Sequence, residues 1–113
     1  MERINARDLE AFSEPVELVT VDVSFISLEK VLPAIRRAAP AAGVVALFKP
    51  QFQVGRSAVP RGGVVRDEQV IDAAREGFEA WCPANGYAVL GDVPAAVSGA
   101  DGNQEYLYRL APL

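Results

Sequence analysis

Apolar positions in this chain fall into short continuous runs separated by stripes of helical spacing. The run Val16-Glu17-Leu18-Val19-Thr20-Val21-Asp22-Val23 is rich in β-branched side chains, which predicts a strand buried on both faces and ending at Asp22. After Ser27, residues Leu28, Val31, Leu32, Ile35 and Ala39 recur at helical spacing. This predicts a helix kinked near its start, where Pro33 removes a backbone donor. Val44 to Phe48 reads as a second, fully apolar strand that delivers Lys49 to its C-terminal tip. Residues Gln51 to Arg66 show no period and predict a long irregular loop. From an N-cap at Asp67, the stripe Val70, Ile71, Ala74, Phe78 and Trp81 predicts a helix stopped by Pro83. Asn85-Gly86 then turns the chain into a strand over Tyr87 to Leu90. A loop containing Gly91, Pro94, Gly99 and Gly102 leads to a last strand over Glu105 to Leu110.

The predicted order is strand, helix, strand, helix, strand, strand, an α/β arrangement. Strands joined through helices favour right-handed parallel crossovers, whereas the last pair has no helix between its members and favours antiparallel pairing. The expected sheet is therefore parallel except for its last strand.

Length and charge narrow the functional classes. The 113 residues make one domain or a piece of one, and 50% hydrophobic with 23% charged residues is the mixture of a packed fold. A net charge of −4 argues against this segment alone wrapping a phosphate backbone. Arg56, Arg61 and Arg66 cluster locally and fit either a solvated loop or a phosphate contact. A single cysteine, Cys82, and no histidine exclude an internal disulfide and the usual zinc sites, so no metal is expected. Cys82 reads as a small buried residue, because no histidine can activate it. No signal-peptide pattern opens the sequence and no long apolar run crosses it. The expectation is a cytoplasmic chain without a membrane span.

Ligands of open α/β sheets sit beyond the carboxyl ends of the parallel strands. Asp22 and Lys49 fall there, and an antiparallel final strand would begin on the same side with Glu105. A lysine between carboxylates can accept a hydroxyl proton or stabilise a developing alkoxide. The same residues also fit a structural role, with Asp22 capping the next segment, Lys49 a solvated strand end, and Glu105 paired with Arg109 or water. Phe78 and Trp81 read as core, with base stacking as the other reading.

Asp22-Val23-Ser24-Phe25-Ile26-Ser27-Leu28 resembles the DVSFISL signature of the TlyA family, hemolysin-like proteins related to FtsJ ribose methyltransferases. Three further elements match in order: Lys49-Pro50-Gln51-Phe52 (KPQF), Gly62 to Asp67 (GGVVRD) and Gly102-Asn103-Gln104-Glu105 (GNxE). Asn5-Ala6-Arg7 resembles the segment just before them. The resemblance implies 2′-O-methylation of ribosomal RNA with S-adenosylmethionine through a Lys-Asp-Lys-Glu tetrad, of which Asp22, Lys49 and Glu105 match the last three members. It also implies donor contacts at Asn5 and Asp22 and RNA contacts at Arg56, Arg61 and Arg66. Gln53 stands where the family usually has Glu, and Pro60-Arg61 where Gly-Lys is common.

The family's RNA-binding domain, first tetrad lysine and glycine-rich donor loop would all precede Met1. Residues 1–113 thus read as the C-terminal half of a Rossmann-like methyltransferase sheet. Without the first strands, the edge and one side of the Val16 to Val23 strand are expected to be open. That favours self-association or a complementary N-terminal fragment as partner, besides ribosomal RNA or a ribosomal subunit. A non-catalytic interaction module derived from the same half-sheet is the other reading. Membrane lysis fits poorly, because the Asp67 to Trp81 helix is acidic on its polar side.

Overall fold

Strand residues alternate between buried and half-buried, and this alternation shows how the layers stack. The computed structural model describes residues 18–54, 63–95 and 103–113, together with the backbone of residues 2–3. Its elements are β1 (Glu2–Arg3), β2 (Leu18–Val21), α1 (Leu28–Ala38), β3 (Gly43–Phe48), α2 (Pro50–Gln53), α3 (Glu68–Ala84), β4 (Tyr87–Pro94) and β5 (Tyr106–Pro112). They form a five-stranded sheet in the order β1-β2-β3-β5-β4. β1, β2 and β3 run parallel, and β5 inserts antiparallel to both β3 and β4. The expected parallel sheet with an antiparallel last strand is the sheet observed.

Val19, Val21, Val44, Ala46 and Phe48 point into one core with Leu28, Val31, Leu32 and Ile35 of α1 and Phe78 and Cys82 of α3. Their strand neighbours Leu18, Thr20, Val45 and Leu47 are only half-buried. The expectation of a β2 buried on both faces is corrected accordingly: both long helices pack on one face, and the other carries a half-open recess bordered by Val45, Val93, Leu107 and Arg109. The edge of β2 is not open along its length either, since Glu2 and Arg3 pair with Val19 and Thr20.

Both helices lie where the periodicity places them: α1 continues through Pro33 to Ala38, and α3 ends at Ala84, one residue past Pro83. At the end of α3 the Asn85 side chain donates to the Trp81 carbonyl at 2.8 Å, satisfying one of the carbonyls that a helix C-terminus leaves without an intrahelical donor. Asp67 caps α3 as expected, its carboxylate accepting from the Gln69 amide at 2.9 Å. At the following turn Gly86 takes φ 95°, with Arg36 packed against it and donating to its carbonyl at 2.8 Å. A Cβ here would collide with the arginine as well as strain the backbone.

Aromatic rings bind α3 to the sheet: Phe78 meets Phe48 at 5.7 Å and Tyr108 edge-on at 5.1 Å, and Trp81 stacks on Phe78 at 6.4 Å. Phe78 and Trp81 are therefore core residues. Beside them Arg75 donates to the Tyr108 hydroxyl at 3.0 Å, pairs with Asp92 and lies 4.1 Å over the Tyr106 ring. Burial pushes the Tyr108 hydroxyl up to about 12, although the Arg75 hydrogen bond pulls the other way.

Asn103 joins two distant stretches just ahead of β5. Fully buried, it accepts from the Val65 amide at 2.8 Å and donates to the Gly63 carbonyl at 2.9 Å. An alanine would leave a buried backbone donor without its acceptor, a loss of about 1–3 kcal/mol. Asn103→Ala is expected to lower the urea midpoint accordingly while leaving the denaturant slope unchanged.

Cys82 is fully buried, and its thiol is pushed from 9.0 up to about 12 by burial first and then by Glu29 and Glu79. Below pH 9.0 the thiol is protonated in both folded and unfolded chains and adds no pH dependence. Above it the unfolded thiol ionises while the folded one keeps its proton, so stability falls as pH rises toward about 12. Tyr108 joins this decline only above its ordinary 10.0. Melting curves between pH 9.0 and 10.0 are expected to show a shallower decline for Cys82→Ala than for the parent chain; equal slopes would remove Cys82 as the cause.

Candidate active site

Neighbouring parallel strands that run the same way bring the residues after their ends to one rim. Val21 of β2 pairs with Ala46 of β3, Asp22 follows β2, and Lys49 follows Phe48. β5 begins at the same rim because Tyr106 pairs with Phe48, which sets Glu105 beside the end of β3. Register alone thus gathers three residues from positions 22, 49 and 105.

The Lys49 ammonium lies 2.6 Å from Asp22 Oδ1 and donates to Ser24 Oγ at 3.3 Å. Its side chain is 13% exposed and that of Asp22 35%. Lys49 is therefore not a solvated strand end. Exposed ion pairs contribute about 0–1 kcal/mol, and withdrawal from water strengthens the attraction while making separation of the partners more costly. Glu105 is buried and accepts from Gln51 Nε2 at 3.4 Å. Gln51 lies two residues beyond Lys49, on α2, so Glu105 joins the rim through that short helix rather than through the structural pairing with Arg109. The region expected to be loop from Gln51 thus opens with a helical turn, for which Lys49 is the N-cap and Pro50 the first residue.

Sequence reading assigns Ser24 and Gln51 no role at this rim and marks Gln53 only as a departure from the family pattern. All three hydrogen-bond within it, and Gln53 accepts from the Leu28 amide at 2.7 Å. Phe25 is 89% exposed at φ 66° and meets Phe52 at 5.1 Å. A non-glycine residue in the left-handed region carries strain of about 1–3 kcal/mol. Nothing in the sequence marks Phe25 for this, since Val23 and Ile26 of the same stretch are apolar too. Arg66 is exposed just before α3; Asn5, Arg56 and Arg61 lie outside the described residues.

S-adenosylmethionine, the donor implied by the resemblance, requires a cradle as well as a reactive rim. At Gly63, Gly77 and Gly91 an added Cβ would meet nothing within 4 Å, and the space at Gly86 is filled by Arg36. None of these glycines forms a fitted wall for a ligand approaching the backbone. Among the described residues no glycine-lined cradle for such a donor is formed.

Comparison with known proteins agrees with the family resemblance of the motifs. The chain is 43% identical to the 16S/23S rRNA (cytidine-2'-O)-methyltransferase TlyA of Mycobacterium tuberculosis, with 97% of this chain and 42% of that protein aligned. It is 39% identical to the 23S rRNA (cytidine-2'-O)-methyltransferase TlyA of Campylobacter jejuni, with 89% and 41% aligned. A solved chain from Streptococcus thermophilus that carries a provisional hemolysin name superposes with a TM-score of 0.87 at 34% identity, covering 96% of this chain and 41% of that one. The chain thus spans about two-fifths of the length of these relatives. The FtsJ-like methyltransferase model matches residues 1–111. By this match, by the relatives and by its fold, the chain belongs to the FtsJ-like methyltransferase family.

Proposed function

We propose that this chain forms the hydroxyl-handling part of a site that methylates ribose 2′-hydroxyls of ribosomal RNA with S-adenosylmethionine as donor. The observation that carries the reading is the 2.6 Å Asp22–Lys49 pair at the carboxyl rim, with Glu105 tied to it through Gln51. Lys49 is the group that meets the ribose hydroxyl. As an ammonium it stabilises negative charge developing on the oxygen, and as an amine it accepts the proton. Asp22 and Glu105 hold the lysine end and the α2 turn in place, so that the nitrogen need not reorganise when charge develops. Asp22 also faces the donor, together with Asn5. Arg56, Arg61 and Arg66 contact RNA phosphates, and the exposed Phe25 ring offers an apolar face to a base next to the reacting sugar.

The donor grip comes from polypeptide corresponding to the part of the relatives' length that this chain does not span. The isolated chain is inactive, and its partners are that complementary half and a ribosomal subunit in the cytoplasm. Among the described residues no helix is long and apolar enough to cross a membrane.

Mixed with the complementary N-terminal half of a relative, the chain is expected to transfer labelled methyl groups from S-adenosylmethionine to ribosomal RNA. Lys49→Ala should reduce the rate by about 10²–10⁴-fold. Undiminished transfer in that variant would remove Lys49 from the chemistry, and partner binding without any transfer would favour the non-catalytic module. Calorimetric titration of the isolated chain with the donor is expected to show no saturable heat; saturable binding would place a donor site within these residues.

A further inference from the structure

Lys49 is positioned not only by its ion pair but by the way the segment carrying it closes against the segment carrying Asp22. The two segments are short, residues 22–29 and 49–53, and they meet through three successive contacts. At one end Asp22 and Ser24 hold the Lys49 ammonium at 2.6 and 3.3 Å. In the middle the Phe25 and Phe52 rings lie 5.1 Å apart. At the far end the Gln53 carboxamide bridges to α1, its oxygen accepting from the Leu28 amide at 2.7 Å and its nitrogen donating to Glu29 Oε1 at 2.7 Å.

The far contact has a clear physical origin. The first amides of a helix lack intrahelical acceptors, and a side chain from the preceding residue commonly supplies one. Ser27 occupies the N-cap of α1 and makes no side-chain cap. Gln53 takes that role from another helix, 25 residues away. A capping interaction has thereby become a tertiary tie between α1 and α2. The residue that follows the KPQF element is the one that fastens this element to the DVSFISL loop.

We propose that Gln53 is a positioning residue for Lys49: it locks the α2 turn onto the start of α1 and so holds the Lys49 nitrogen against Asp22 and Ser24. Its amide is required as well as its length. Position 53 must accept from Leu28 and donate to Glu29 at once, and a carboxylate could satisfy only the first while facing the Glu29 carboxylate. Positions 29 and 53 therefore form a complementary pair, one acidic and one amide. The catalytic significance of holding Lys49 rests on the methyltransferase reading; the mechanical link between position 53 and Lys49 does not.

The test uses the isolated chain, without donor or RNA. Acylation of Lys49 by acetic anhydride is followed by mass spectrometry, with exposed Lys30 as internal control, and exchange of the Leu28 amide is followed by NMR. Gln53→Ala is expected to accelerate both Lys49 acylation and Leu28 exchange by about fivefold, the effect of losing a typical hydrogen bond. Gln53→Glu should accelerate Lys49 acylation similarly, and the double variant Glu29→Gln/Gln53→Glu, which exchanges donor and acceptor, should return it to the parent rate. Rescue by this exchange is not expected if position 53 merely contributes bulk. An unchanged Lys49 rate in Gln53→Ala and Gln53→Glu, or failure of the exchange to restore it, would overturn the proposal. Either result stands whether or not the reconstituted protein methylates RNA.

Discussion

An ammonium drawn largely out of water must be met by a carboxylate, and the Lys49–Asp22 contact at 2.6 Å is the interaction around which the functional end of this molecule is arranged. Neither residue could make it alone. The contact requires two neighbouring parallel strands, in a register set by the Val21–Ala46 pairing with β3 running two residues further to Phe48, and a chain that turns at once after each strand. After β2 the turn is an irregular loop in which Phe25 accepts a positive φ; after β3 it is the single helical turn of α2. The two turns are tied to each other by side-chain contacts, in addition to the backbone hydrogen bonds within α2.

β5 extends the same logic across the sheet. Entering antiparallel between β3 and β4, it places a residue distant in sequence at the rim and leaves the carboxyl end of β3 flanked on both sides. Its start is restrained from three directions. Asn103 anchors it to Gly63 and Val65, the Glu105 carbonyl accepts from the Ala95 amide at 2.8 Å, and Arg75 lies over Tyr106. Pre-organisation of this kind is what a transfer to a weakly acidic oxygen demands, because polar groups already in place need not reorient as charge develops. The asymmetric layering fits the same division of labour. One face of the sheet is sealed by α1 and α3, and the other remains half-open, which suits the proposed role of the rim as the hydroxyl side of a larger site.

Much of this was legible in the sequence because it depends on local pattern. Apolar runs marked β2 and β3, helical stripes marked α1 and α3, and the absence of a helix before the last strand implied its reversal. Asp22 and Lys49 were identifiable as strand-end residues and Glu105 as the start of a reversed last strand, and the ordered motifs singled out the same three. The burial of β2 was misjudged for a physical reason. Continuous apolar runs read as strands covered on both faces, although an apolar side chain can also be half-exposed where a layer is missing.

By itself, then, the sequence determined which segments become strands and helices, the direction of the last strand, and which ionisable residues stand at strand ends, since these follow from periodicity and from short-range connectivity. Tertiary structure alone decided how those residues are joined: that Glu105 reaches the rim through Gln51, that Gln53 caps a helix it does not belong to, and that Phe25 is held outward in a strained conformation. Hydrogen bonds between residues 25 or 54 positions apart leave no periodic trace, because their partners are selected by register and packing across the fold and not by spacing along the chain.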